Sequence, residues 1–244
     1  MRLSIVFLAL CGASTSDATA LSDLATPALM PDAVIELREG HFRAMTLWGR
    51  WADMSFDLGS SLTLLKMEDA SGQFFLSDNV AWNEFSMGQF TRSVVGMSPG
   101  SNFFQYIPLV TLVAGRDQLV VGPFDAAAAC KEGQLFYSVL PAHSGAWRLP
   151  LQIGEGTDRH AMFNLAFTGS QFRAPSGLIN RLKNEEPISL RFEGFELSLN
   201  SAVLGESELV KDPHNNYELP LEVLKHMIVQ LDAANQRIGV CSLA

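Results

Sequence analysis

The residues of this chain best suited to chemistry lie in Met54-Ser55-Phe56-Asp57-Leu58-Gly59-Ser60-Ser61-Leu62-Thr63-Leu64-Leu65. An aspartate ends one apolar run, Leu-Gly-Ser-Ser follows, and a second apolar run begins. Gly59 permits a tight turn, and the hydroxyls of Ser60 and Ser61 are placed to hydrogen-bond the Asp57 carboxylate. A carboxylate held at a strand end suits general acid–base work. The same residues also spell an ordinary hairpin with an aspartate in its turn, and the segment alone leaves both readings open.

Such a carboxylate needs strands to hold it. Short segments rich in Val, Leu, Ile, Phe and Thr, broken by Gly, Pro, Asn and Asp, predict a mostly β chain. Strands are predicted over 33–37, 42–48, 52–56, 62–66, 72–76, 94–97, 118–122, 134–140 and 147–153. Short helices are predicted over 178–183 and 219–227, and 115–125 reads as the crossing between two halves. The class is all-β, with few short helices. With 244 residues and 48% apolar content, the chain can bury a core as one large domain or two small lobes.

Other features bound the partners. The net charge of −9, without a Lys/Arg cluster, argues against nucleic acid and anionic membrane surfaces as partners. Arg2, the apolar run Leu3–Ala13 and Ala18-Thr19-Ala20 predict a secretory signal cleaved after Ala20. The run is too short to span a bilayer, so no membrane partner is expected after cleavage. An uncleaved anchor or a buried strand is the competing reading. Beyond the signal only Cys130 and Cys241 remain. They either form one disulfide in an oxidising compartment or both stay buried and free. No CxxC, HExxH, GxGxxG or GxxxxGK[ST] occurs, nor a His/Cys cluster at metal spacing. Neither a metal nor a cofactor is expected.

An ordered set of motifs adds to the first. Asp57-Leu58-Gly59-Ser60-Ser61 resembles the Asp-Thr-Gly-Ser-Ser signature of pepsin-like aspartic proteases. Val94-Val95-Gly96-Met97-Ser98-Pro99-Gly100-Ser101 is similar to that family's Gly-Ile-Leu-Gly-Leu-Gly segment. Leu119–Asp125, Gly133–Val139 and Trp147-Arg148-Leu149 resemble its next three segments. Val229-Gln230-Leu231-Asp232-Ala233-Ala234-Asn235-Gln236-Arg237-Ile238-Gly239-Val240 is similar to its closing Val-Val-Phe-Asp-x-x-Asn-x-Arg-Ile-Gly-Phe pattern. The resemblance runs from about residue 33 to residue 244.

The resemblance implies a bilobal acid-protease fold with a central cleft. It places an N-terminal lobe over 21–115, its flap reduced or absent, and a C-terminal lobe over 116–244. It also implies one aspartate per lobe, the two sharing a proton because close carboxylates cannot both ionise. Here the sequence departs from the family. Aligning Thr168-Gly169-Ser170 with the second Thr-Gly-Ser puts Phe167 at the aspartate position; a shift of one puts Ala166 there. Asp158 precedes the strand and is too far back to reach the turn tip. Leu58 replaces the first threonine, and no tyrosine lies between Asp57 and Gly96 to serve as a flap tyrosine.

The expectation is a secreted or lumenal, monomeric, pepsin-like pseudo-protease that binds a peptide or protein segment in the inter-lobe cleft. Asp57, Gly59 and Ser60 form its remaining catalytic turn, and Phe167, Thr168, Gly169 and Ser170 its degenerate second motif. Two alternatives stay open. One is an active aspartic endopeptidase using Asp57 with an unrecognised second acid. The other is an unrelated secreted β-sandwich binding module, with Trp48, Trp51, Trp82 and Trp147 as candidate platform residues.

Overall fold

The structure, a computed structural model, describes residues 32–38, 41–45, 51–69, 72–77, 80–83, 93–141, 144–154, 160–167 and 169–244. The signal segment 1–20, Trp48, Asp158 and Thr168 lie outside the described residues.

The first half of the chain forms β1 (Ala33–Glu36), β2 (His41–Met45), β3 (Trp51–Asp57), β4 (Leu65–Asp69), β5 (Gly72–Ser77), β6 (Val80–Asn83), β7 (Ser93–Gly96), β8 (Leu109–Val113) and β9 (Gln118–Val121). The second forms β10 (Phe136–Val139), β11 (Arg148–Ile153), β12 (His160–Ala166), β13 (Gln171–Ala174), β14 (Ile188–Phe192), β15 (Phe195–Leu199), β16 (Glu208–Lys211), β17 (Tyr217–Pro220), β18 (Met227–Asp232) and β19 (Arg237–Ser242). The helices are short: α1 (Phe103–Tyr106), α2 (Ala126–Ala129), α3 (Ser176–Lys183), α4 (Ser201–Leu204) and α5 (Leu221–Leu224). The chain is mostly β, as its short segments rich in Val, Leu, Ile, Phe and Thr predict.

Four sheets result. A six-stranded sheet runs β1-β9-β8-β18-β19-β10 and so takes strands from both ends of the chain. A seven-stranded sheet, β15-β14-β11-β12-β17-β13-β16, is built wholly from the second half. Three-stranded sheets β2-β3-β7 and β4-β5-β6 complete the first half. The interval between Asp57 and Gly96, where strands are predicted over 62–66 and 72–76, holds the antiparallel β4-β5-β6 meander.

The strand predicted over 118–122 forms as β9 and pairs with both β8 and β1. One expectation changes. The 219–227 helix is divided: β17 ends at Pro220, α5 is a single turn, and β18 begins at Met227 opposite Ser242. Pro220 has no N–H to donate, which ends a ladder but suits the start of a helix.

The six-stranded sheet is covered on both faces, which is why every residue of β18 is buried. Met227, Val229 and Leu231 enter the main core with Val110, Leu112, Leu119, Ile238 and Val240. Ile228 points the other way, into a smaller cluster with Val113, Val120, Ala129 and the Cys130–Cys241 disulfide. Of the two sequence readings of these cysteines, the bonded one holds. Closing a loop of 111 residues removes unfolded-state entropy of about 4–5 kcal/mol on a chain-entropy model.

The β18–β19 hairpin is fixed by the aspartate of the closing motif. Asp232 is 3% exposed. It accepts hydrogen bonds from the Asn235 N–H at 3.1 Å, from Asn235 Nδ2 and from Arg237 Nε at 2.7 Å. The Arg237 guanidinium in turn lies 4.0 Å over the Tyr137 ring. Gly239, opposite Tyr137 in register, leaves room for that ring; a Cβ there would stand 2.7 Å from it. Burial pushes the Asp232 carboxyl up, but the bonds from Asn235 and Arg237 outweigh it and leave it below the usual carboxylate range. A carboxyl lowered in the native state stabilises above its unfolded value of about 4. That stability is lost as pH falls through the native value. Asp232→Asn is therefore expected to lower stability by about 2 kcal/mol at neutral pH. The gap from the parent should shrink as pH falls below about 4. Urea midpoints of both proteins from pH 7 to pH 3 read this, and a gap constant with pH would contradict it.

Candidate functional site: two equivalent turns

Asp57 is the last residue of β3, and the turn after it is local in origin. The Gly59 N–H donates to Asp57 Oδ1 at 2.9 Å, an Asx turn that the aspartate makes with its own backbone two residues on. The serines do something other than expected. The Ser60 hydroxyl accepts from the Leu62 N–H at 3.1 Å and donates to the Leu62 carbonyl at 3.4 Å. It braces the exit from the turn, and Ser61 is exposed. The carboxylate is thus held by a backbone N–H and not by the hydroxyls.

The returning strand β7 locks the turn in place. It runs parallel to β3, with Val94 opposite Ser55 and Gly96 opposite Asp57. On its other side Val94 bridges Leu64 in antiparallel sense. The Met97 and Ser98 N–H groups donate to the Asp57 and Ser60 carbonyls at 2.7 and 2.9 Å. The approach is close: a Cβ on Gly96 would stand 2.4 Å from the Leu62 carbonyl oxygen, so only glycine fits.

The second half repeats this arrangement. Here β17 runs parallel to β12, with Glu218 opposite Asn164 and Pro220 opposite Ala166. On its other side Glu218 pairs with Arg173 of β13 in antiparallel sense. Glu218 thus stands between Asn164 and Arg173 as Val94 stands between Ser55 and Leu64, and the same number of residues separates each flanking pair. Two positions on, Asp57 faces Gly96 and Ala166 faces Pro220. The burial pattern agrees. Asp57 and Ala166 are both half-buried, and each lies between two buried apolar residues, Phe56 and Leu58 in one turn and Leu165 and Phe167 in the other.

The register therefore sets Ala166, and not Phe167, at the level of Asp57. Phe167 corresponds to Leu58 and is a core residue, 1% exposed, its ring 6.3 Å from that of Phe56. Gly169 and Ser170 follow in the turn, Gly169 half-buried and Ser170 exposed. Phe56 also stacks on Phe42 at 4.5 Å and meets Phe103 edge-on. Trp147, 1% exposed, packs on Phe104 and donates its indole N–H to the Met97 carbonyl at 2.6 Å. These aromatic contacts hold the two turn regions against each other, and the indole bond satisfies a polar group that burial would otherwise penalise. Trp147 is therefore a core residue and not an exposed platform.

One residue beside the second turn was not foreseen. The space where a Gly169 Cβ would stand is 3.1 Å from the Ala166 Cβ and 3.6 Å from Glu218 Oε1. The Glu218 carboxyl thus reaches the neighbourhood of Ala166 from the adjacent strand. Burial pushes this carboxyl above its usual range, Asp212 adds to the effect, and Arg173 opposes it. The signal in the sequence was the short Tyr217-Glu218-Leu219-Pro220 strand, masked by reading 219–227 as helix.

Among the described residues no group of His, Cys, Asp and Glu could hold a metal ion, and no helix is long and apolar enough to cross a membrane. No family model matches the chain, and no curated protein matches it in sequence.

Proposed function

We propose that this chain is a divergent pepsin-like aspartic protease homologue that binds an extended peptide segment and does not hydrolyse it by the two-aspartate route. The observation that carries the reading is the pair of equivalent turns with Asp57 on one and Ala166 on the other. The family's chemistry needs two carboxyls, one to take a proton from water and one to give a proton to the carbonyl oxygen. An alanine methyl does neither. The two lobes are assigned to 21–115 and 116–244, with the six-stranded sheet joining them and the peptide lying in the cleft between them. An extended peptide would be held there by main-chain hydrogen bonds and side-chain pockets. The Cys130–Cys241 disulfide supports a secreted or lumenal setting, since such bonds persist in oxidising compartments. The protein is proposed to act as a monomer.

The test is incubation of the purified mature protein with a denatured protein substrate from pH 2 to 7, with and without pepstatin. Alongside it, binding of extended peptides is measured by calorimetry. The expected result is binding without cleavage. Pepstatin-sensitive cleavage abolished by Asp57→Ala would instead establish an active endopeptidase with a second acid. Absence of both cleavage and peptide binding would reject the cleft reading.

A further inference from the structure

We infer that Glu218, beside Ala166 and Gly169, is a recognition site for a cationic side chain, lysine or arginine, of a bound peptide, with its carboxylate as the acceptor. The inference rests on the peptide-binding reading above and names the chemistry of one of its subsites.

Glu218 lies on β17, half-buried, with its Oε1 at the edge of the Gly169 turn. Among the described residues its ion-pair neighbour is Arg173, whose Nε is 4.0 Å away, too long for a hydrogen bond. The reason lies one step further along β13. Gln171 donates its amide N–H to Glu208 at 2.8 Å, which fixes the amide and turns its oxygen toward Arg173. Arg173 Nη2 donates to that oxygen. Arg173 thus gives Glu218 an ion pair but donates its hydrogen bond to Gln171. Among the described residues no donor hydrogen-bonds the Glu218 carboxylate.

A carboxylate in partial burial without a hydrogen bond is costly, and a partner that both donates and carries positive charge relieves most of that cost. A peptide N–H would donate but brings no charge, whereas a cationic side chain also offsets the negative charge of Glu218 and Asp212 that Arg173 must balance. The neighbouring Asp212 strengthens the preference, since it lies close enough to act on Glu218. The absence of an aspartate at 166 matters too. The methyl of Ala166 leaves room beside Glu218 where a second acid would otherwise stand and compete.

The test uses pairs of blocked hexapeptides that differ only in carrying lysine or its uncharged isostere norleucine at one scanned position. Affinities for the full mature protein and for Glu218→Gln are read by calorimetry. At one position the lysine peptide is expected to bind the parent about tenfold more tightly than its norleucine partner, and Glu218→Gln should remove that difference. The norleucine peptide should bind both proteins alike, and an unchanged thermal midpoint shows that Glu218→Gln is folded. Peptides that bind without any lysine preference, or with a preference that survives Glu218→Gln, overturn the inference and leave the peptide-binding reading in place. Failure of every peptide to bind removes both.

Discussion

Ala166→Asp is expected to give this protein acid-dependent peptide cleavage that the parent lacks. The register sets residue 166 opposite Pro220 as Asp57 is set opposite Gly96, so the substitution supplies the second turn with a carboxyl at the level of the first. Gly169 has no Cβ to crowd the new group, and Ala166 is only half-buried. Nearby Glu218 disfavours a second negative charge, which favours retention of one shared proton. Placing a general acid where none stood raises rates by about a hundredfold to ten-thousandfold. The measurement is pepstatin-sensitive hydrolysis of a denatured protein between pH 2 and 7. Adding Asp57→Ala to the variant should abolish it. A folded Ala166→Asp protein that binds peptide but cleaves nothing would show that the two turns do not converge on one substrate bond.

The neighbouring substitution Phe167→Asp should do the opposite and unfold the protein. Motif alignment alone makes it the natural way to restore a dyad. In the fold, however, Phe167 is 1% exposed and packed against Phe56 within the main core. Deleting the ring costs about 3–5 kcal/mol in lost burial and cavity formation. Burying a carboxyl there without a partner adds several more, on the order of 3 kcal/mol. A domain of ordinary stability, about 5–15 kcal/mol, is largely spent by such a change. The check is the urea midpoint and near-ultraviolet circular dichroism of the variant beside Phe167→Leu, expected to lose only about 1 kcal/mol. A stable, well-packed Phe167→Asp protein would mean that the turn is in a different register from the one described.

The contrast between these adjacent positions shows what the sequence carries and what it does not. The closing Asp232-Ala233-Ala234-Asn235-Gln236-Arg237 motif was legible because its function is local. Its side chains bond each other across a single hairpin. The first turn was legible for the same reason, as Gly59 answers Asp57 two residues away. The position of Ala166 was not. Thr-Gly-Ser slides by one residue at little cost in a motif alignment, whereas a one-residue slip in a sheet exchanges the core face for the other face. The register of β12 is set by β11 on one side and by β17, some fifty residues on, on the other, and the equivalence to the first turn exists only through β17, part of which reads as helix. Glu218 was invisible for that same reason, since its place beside the turn exists only once β12, β17 and β13 are paired.

The disulfide has a topological consequence. The chain between Cys130 and Cys241 is a closed covalent ring, and all seven strands of the large sheet lie inside it. One cut by a protease within the ring, for instance at the exposed turn Asn184–Glu186, opens the ring without releasing a piece. The nicked molecule would run as one species on a non-reducing gel and as two after reduction. A protein built this way tolerates a single scission in a protease-rich environment, and only a second cut or a reductant sets a fragment free.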